Sequence, residues 1–469
     1  MAAKKKVETC SINSLPDEVL GQILSLFPTK LAAATSVLSK RWRNLLPLVQ
    51  NLDFDESMVF YPNRASETIG DGGGFLDFVN RTLGLLGDSP IKKFSMKWVS
   101  PIDNSQYNHL IRNVLEHGAL ELDLSSTSIQ CIMPEFFFSK TLVKLTLSRG
   151  SYDQDSHPPD GVLFPALKTL SLVQVSYGTF GWGDLYDCLL DSCPVLEEVN
   201  IFAGDPFDAG GWRKHIWGST IQRITIFYRF YDLDAHSLVG LDTPRLVYLD
   251  YSSYVAEDYQ CQLDSLVEAR LDLILWKYND YIPPVDEYYG YDSTKGDAWG
   301  DATKLVEAIR NVVTLHLSAD SLEVFHCCCE SMPEFNNLVT LSFESHEERD
   351  WQVLPLLLRK SPNLDTLVLK GLVHKYTKGC GDVCACKRVR KKRKKKISCL
   401  LSCGVKVLKV YGYGGSCREL KQMRHFMENL RCLEVVKVQV QVDKQDKKYT
   451  DDLMKLLQTA SSECKIQFI

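Results

Sequence analysis

No run of about 18 apolar residues occurs anywhere in the 469-residue chain, so nothing in it reads as a membrane-spanning helix. The opening "MAAKKKVETC" has basic residues but no apolar segment behind them, which excludes a secretory leader of the usual kind. Enzyme signatures are missing too. There is no P-loop, no G-x-G-x-x-G after a strand, no H-E-x-x-H and no G-x-S-x-G. A strong charge of one sign is also lacking: the net charge is −5, so the molecule as a whole is no polyanion binder. These absences lead to the expectation of a soluble, intracellular, non-catalytic protein with no membrane partner and no cofactor. Cysteine, by contrast, is plentiful at 16 residues. Without a leader the compartment argues for reduced thiols, and the consecutive Cys327, Cys328 and Cys329 are a poor disulfide framework.

What the chain does contain begins with "SLPDEVLGQILSLFPTKLAAATSVLSKRWRNLL" at residues 14–46. Pro16 suits the start of a helix, because its missing N–H has no helical partner there in any case. Asp17 and Glu18 follow in the first turn, where negative charge complements the helix dipole. Val19, Leu20, Ile23, Leu24 and Phe27 then fall on one helical face, and Pro28 is expected to stop the helix. A second short pattern carries Leu31, Ala34, Val37 and Leu38, and Ser39 is a candidate N-cap for a third helix with Trp42, Leu45 and Leu46. Three helices in about 35 residues cannot build a sufficient core. They must dock on the rest of this chain or on another protein.

The order "LPDEVLGQIL", "FPT", "ATSVLSKRWRNLL" closely resembles the F-box in its plant form over nearly all of residues 12–50. The resemblance implies docking on a Skp-type adaptor and, through it, on a cullin–RING ubiquitin ligase. It also implies that Leu15, Pro16, Val19, Leu20, Ile23, Leu24, Val37, Leu38 and Trp42 form or support the docking surface. The bland alternative is an N-terminal cap on a repeat array that has no partner.

A repeat fills the rest. The pattern apolar-x-x-apolar-x-apolar occurs fourteen times, from "VQNLDF" and "IKKFSM" through "LVKLTL", "LKTLSL" and "LVYLDY" to "VKVLKV" and "LEVVKV". The anchors Leu122, Leu145, Leu170, Val199, Ile224 and Leu249 are 23, 25, 29, 25 and 25 residues apart, and Leu315, Leu341 and Leu367 are 26 apart. This is the leucine-rich-repeat period. Each unit supplies a short strand whose second and third apolar positions, two apart, share the core face. The strands should be parallel neighbours in a curved solenoid. The Asn that normally follows the strand is mostly absent, so the curvature should be irregular. The alternating positions face outward on the concave side and are candidates for capturing a protein substrate. They include Glu121, Asp123, Lys144, Glu198, Arg223, Tyr248, Asp250, Arg270 and His316. A plain solvated face would have a similar composition.

Two insertions interrupt the rhythm. Between Ala269 and Leu315 the Tyr-, Asp- and Gly-rich "KYNDYIPPVDEYYGYDSTKGDAWGD" is either a recognition loop or a disordered surface loop. Between Leu367 and Leu408 lies "CGDVCACKRVRKKRKKKISC", in which Lys387, Arg388, Arg390, Lys391, Lys392, Arg393, Lys394, Lys395 and Lys396 make nine cations in ten residues. Without those nine the net charge falls from −5 to −14, so the body is acidic and the run is an outlier. A signal for a nuclear import receptor, a solvated spacer and a nucleic-acid patch are the three readings. No aromatics interleave the charges, which weakens the last. Cys380, Cys384, Cys386, Cys399 and Cys403 invite a metal assignment, but their spacing lacks the paired C-x2-C form, and no metal is assigned. Pairing Cys380 with His374 as a nucleophile and its base has no firmer support.

The final stretch, "VKVLKVYGYGGSCRELKQMRHFMENLRCLEVVKV" followed by "LMKLLQTASSECKIQFI", is similar to the FBD domain that ends many plant F-box proteins. It reads as strand, helix, strand, helix, strand, and Leu420, Met423, Phe426, Met427 and Leu430 form a helical stripe suited to a core. The expected organisation is α/β: a flexible tail (1–11), a helical F-box (12–50), a parallel-strand leucine-rich-repeat solenoid (51–375), a basic insertion (376–403) and an FBD-like end (404–469). The resemblance implies a substrate-recognition adaptor of an SCF-type ubiquitin ligase. The alternative is an F-box-containing nuclear or nucleic-acid-associated scaffold that acts outside ubiquitin transfer. Nucleus, cytoplasm or both are the expected locations.

Overall fold

The computed structural model describes residues 12–59, 73–100, 102–131, 138–151, 164–174, 189–203, 214–229, 238–276, 300–377, 379–385, 398–441 and 464–469. The chain divides into two compact units, Met1–Gly211 and Trp212–Ile469.

The first unit opens with the short helices α1 (Asp17–Leu24), α2 (Thr29–Ala34) and α3 (Lys40–Arg43). They lead into β1 (Asn51–Asp55), α4 (Glu56–Val59), α5 (Gly73–Leu86), β2 (Lys93–Trp98) and α6 (Asn104–Glu116). Then come β3 (Glu121–Cys131), β4 (Lys144–Ser151), β5 (Thr169–Val173) and β6 (Glu198–Ala203). The six strands pair in sequence order, all parallel. Consecutive parallel strands need a return between them, and α5 and α6 serve that role on either side of β2.

The second unit contains β7 (His215–Trp217), β8 (Arg223–Tyr228), β9 (Leu238–Asp242), β10 (Tyr248–Tyr254), β11 (Asp258–Gln262) and β12 (Glu268–Ile274). They are followed by α7 (Thr303–Ala308), β13 (Thr314–Leu317), α8 (Ala319–Cys327), β14 (Thr340–Glu344), α9 (Leu354–Arg359) and β15 (Thr366–Lys370). The unit ends with β16 (Val407–Tyr413), α10 (Cys417–Asn429), β17 (Val435–Val440) and β18 (Lys465–Phe468). Its main sheet runs β8-β10-β12-β13-β14-β15-β16-β17-β18, again parallel.

Each of the fourteen hexamers ends on a strand of a main sheet, and register follows the anchors. Leu122 pairs with Leu145, Leu145 with Leu170 and Leu170 with Val199. In the second unit the row runs Ile224, Leu249, Ala269, Leu315, Leu341, Leu367, Leu408. All of these anchors are buried. At about 1.5–3 kcal/mol for each large apolar side chain, they are the main favourable contribution to folding. The step between repeats is set by one carbonyl. The amides of Leu120 and Glu121 both donate to Lys92 O, and those of Val143 and Lys144 both donate to Leu120 O. The same pair of bonds recurs from Val247 and Tyr248 on Gln222 O to Glu434 and Val435 on Lys406 O.

A second, three-stranded parallel sheet, β11-β9-β7, was not expected from the hexamers. It is built from return segments, and its core side chains are Ile216, Val239, Leu241 and Tyr259. Gly240 allows the close approach: a Cβ there would lie 2.4 Å from the His215 ring. The described ends of the basic insertion are packed. Cys380, Val383, Cys384, Cys399, Leu400 and Cys403 are buried, so both ends of the expected 376–403 segment belong to the packed body. In α10 the expected stripe is buried at Met423, Phe426, Met427 and Leu430, while Leu420 is half-buried. The second helix expected near the C-terminus lies outside the described residues. No described helix is long and apolar enough to cross a membrane.

Candidate functional site

The N-terminal helices are fastened to the first strand by their polar edges. Thr29 Oγ1 accepts from Asp53 N at 2.7 Å, and Ser25 Oγ accepts from Gln50 N at 3.0 Å while donating to Gly21 O at 2.9 Å. That double use of Ser25 explains why α1 closes at Leu24 instead of running to Pro28. Pro28 is the N-cap of α2. Gly21 lies so close to Leu48 that a Cβ would meet its Cβ at 2.7 Å. Ser39 caps α3 as expected, accepting from Trp42 N at 3.3 Å. Arg41 ties the ends together, with Nη2 at 2.6 Å from Asp17 Oδ1 and a bond to Leu15 O.

The docking candidates divide into two sets. Leu20 and Leu24 are buried, and with Ala32, Leu45 and Leu46 they make the internal seam. Leu15, Ile23 and Trp42 are half-buried, and Pro16 is exposed. Val19 turns outward although its neighbour Leu20 turns in. Val37 and Leu38 stand in solvent, 83% and 68% exposed. Leu26 at 81%, Phe27 and Leu31 are exposed as well and were not among the docking candidates. Their signal was available: Leu26 and Phe27 sit directly before Pro28, where no helix continues to bury them.

On the strands, the outward positions alternate with the buried anchors. In the first unit Glu121, Asp123 and Glu198 are half-buried and Lys144 is exposed. Glu121 stands beside Lys144 in register. Burial pushes the Asp123 carboxyl up, against the pull of Lys93 and Lys144. Asn200 Nδ2 links Ser171 Oγ at 3.2 Å and Glu198 Oε1 at 3.3 Å. In the second unit the candidates form one network. The Arg223 guanidinium lies 4.0 Å from the Tyr248 ring centroid, with Arg270 5.9 Å away on the same ring. Arg270 meets Glu268 at 2.8 Å, and His316 Nε2 lies 3.4 Å from the same carboxylate. Burial, then Arg270, pushes the His316 pKa down, so the ring is neutral and is no strong partner for Glu268 near pH 7. Tyr248 Oη donates to Asp250 at 3.3 Å. Sequence reading missed Arg229, Ser252 and Asp272, which extend this polar row: Arg229 Nε donates to Ser252 Oγ at 3.1 Å and Nη2 bonds Asp272.

A family model for the F-box domain matches residues 12–52, and one for the LRR repeats of the FBD-associated F-box protein At5g56370 matches residues 107–265. The F-box protein At4g27050 of Arabidopsis thaliana is 48% identical over 99% of this chain and 100% of its own length. The F-box/LRR-repeat protein At1g48400 is 46% identical over the whole of both chains. A third relative, F-box/LRR-repeat protein At3g59210, is 38% identical over 99% of this chain and 96% of its own. The chain belongs to the F-box/LRR-repeat family.

This F-box/LRR-repeat protein therefore carries two candidate surfaces: exposed apolar side chains on its F-box, and polar, mixed-charge rows on its repeat strands. The nine cations between Lys387 and Lys396 lie outside the described residues, as does Cys386. The other cysteines of that insertion separate into two groups. Cys399 Sγ donates to Asp382 Oδ1 at 2.9 Å, and burial together with that carboxylate pushes its thiol up. Burial likewise raises Cys403. Cys380 and Cys384 instead converge on His374. None of the twelve cysteines whose side chains are described forms a disulfide.

Proposed function

We propose that this chain is the substrate-recognition subunit of a Skp–cullin–F-box ubiquitin ligase, with no catalytic group of its own. The F-box docks a Skp-type adaptor and through it the cullin–RING enzyme. The outward strand rows capture a protein substrate for ubiquitination. One observation carries the reading. The F-box helices satisfy their polar groups and bury one seam against their own chain, yet leave Leu26, Val37 and Leu38 standing in water. Exposed apolar groups of this size gain free energy only when a second surface covers them. A repeat array with mixed charge on its outward positions suits protein recognition, since charge patterns select partners more than they add affinity.

The adaptor step is tested by co-purification of the full chain with a recombinant Skp-type adaptor. The ligase step is tested by ubiquitin transfer in a reconstituted mixture with and without the cullin–RING partners. Transfer that needs those partners supports the adaptor role. Adaptor binding without any substrate modified in cells, compared by affinity purification with and without proteasome inhibition, favours a scaffold outside ubiquitin transfer. The C-terminal end, from residue 404, serves as an FBD-like cap on the array. The reading places the protein in the nucleus, the cytoplasm or both.

A further inference from the structure

The segment after β15 turns back on itself and brings three soft or borderline donors together. A ring nitrogen of His374 and the Sγ atoms of Cys380 and Cys384 all lie within 4.8 Å of one another, and all three residues are buried. Gly381 makes the turn with φ +64°, and a Cβ there would meet Pro355 Cγ at 2.6 Å. The far side of the segment is fixed by α10. Gln422 donates from Nε2 to Val383 O at 2.8 Å and accepts from Ala385 N at 2.9 Å, while His425 Nε2 donates to Asp382 O at 2.7 Å. The His374 ring is stacked on Trp351 at 4.0 Å with an interplanar angle of 8°, which sets its direction. Its Nε2 is buried with no hydrogen-bond partner. A buried polar atom left unpaired costs roughly 1–3 kcal/mol, so the ring is not satisfied by the protein groups around it.

We propose that His374, Cys380 and Cys384 bind a zinc ion that locks residues 374–385 onto the second unit, with water in the fourth tetrahedral position. Thiolate and imidazole donors in this combination match zinc in softness, and three protein ligands leave one tetrahedral position for water. Closing the three atoms onto one ion at about 2.0–2.3 Å needs only small side-chain movements from their present separations. Charge favours the same occupant: two thiolates and a neutral imidazole around a divalent cation leave no net charge to bury. Thr377 Oγ1 lies 3.1 Å from Cys380 Sγ, so the hydroxyl is within reach of the same sulfur. A Cys–His nucleophile would need access to a substrate, which burial of all three groups denies. A disulfide would use the two sulfurs and give the histidine beside them no role.

The test uses the full chain, purified reduced with zinc present, and metal content measured by mass spectrometry. About one zinc per chain is expected. It should fall to background in the double variant Cys380→Ser with Cys384→Ser, and persist in Cys399→Ser and Cys403→Ser. Because the double variant could fail to fold, the wild-type chain is also stripped with a chelator and titrated with cobalt(II). Tetrahedral d–d bands with a thiolate charge-transfer band, both displaced by zinc, are the expected signature. Limited proteolysis should show new cleavage between residues 374 and 385 on stripping and its suppression when zinc is returned. Absence of a tetrahedral cobalt spectrum in the reduced chain overturns the proposal. So does zinc retained by the double variant, or a Cys380–Cys384 disulfide in the chain isolated with zinc present.

Discussion

Replacing Val37 and Leu38 by alanine removes roughly five aliphatic carbons from side chains that are 83% and 68% exposed. Weighted by those exposures, about four carbons remain for a partner to bury. At about 0.8 kcal/mol for each buried CH2, the double variant forfeits about 3 kcal/mol of docking free energy. Since about 1.4 kcal/mol is tenfold, the Kd for a Skp-type adaptor should rise roughly a hundredfold. Folding should hardly notice, because most of each side chain already stands in solvent, and surface changes of this kind fall within about 0.5 kcal/mol. Calorimetric titration of the variant against recombinant adaptor gives the Kd, and a thermal melt gives the control. Leu20→Ala supplies the opposite pattern. Its side chain is fully buried, so about 2–5 kcal/mol of stability should go, with adaptor binding lost only as a consequence of unfolding. A Val37→Ala/Leu38→Ala chain that binds with a Kd within about threefold of the parent would refute the reasoning.

Charge reversal at Glu198 or Arg223 should leave the melting transition in place and reduce recovery of a specific substrate. The anchors beneath them are untouched, and the contact of Arg223 with Tyr248 contributes only about 0.5–1 kcal/mol. If a panel of outward reversals on both units leaves every specific partner bound, recognition lies elsewhere in the chain. Leu170→Asp places a carboxylate where the side chain is 1% exposed, and circular dichroism should show loss of the cooperative transition. A native-like melt would argue against the anchor assignment. Deleting residues 387–396 should preserve that transition and shift a fluorescent fusion from nucleus toward cytoplasm. An equally nuclear fusion favours the spacer reading, and salt-sensitive binding to nucleic acid that disappears on deletion favours the third.

The sequence made the strands of the main sheets other than β18 legible because each needs the same thing: two apolar side chains two residues apart, preceded by a third three positions earlier. Leu142, Leu145 and Leu147 show the rule, and all three are buried. The strands β7, β9 and β11 escaped notice because they are three to five residues long and mix buried and polar positions without the preceding anchor. In the F-box, residue order identified the helices, but which apolar groups face out depends on what β1 covers. Ser25 and Thr29 bind the amides of Gln50 and Asp53, and sequence spacing does not reveal that contact. The His374, Cys380 and Cys384 cluster was obscured for a similar reason. Its spacing matches no common zinc motif, and only the turn at Gly381 closes it.

The shared carbonyl at the foot of most main-sheet strands has a consequence for how this chain can change over generations. It fixes where a repeat begins but places no condition on the length of the path that leads there. Leu249 and Ala269 are 20 residues apart and Ala269 and Leu315 are 46 apart, yet both steps have the same register. Insertions and deletions are therefore tolerated in the returns, and substitutions are tolerated at the outward letters of each strand, without disturbing the two-amide bond that carries the array forward. Duplicated copies of such a gene can diverge rapidly at their outward positions while inheriting an unaltered backbone lattice and an unaltered F-box.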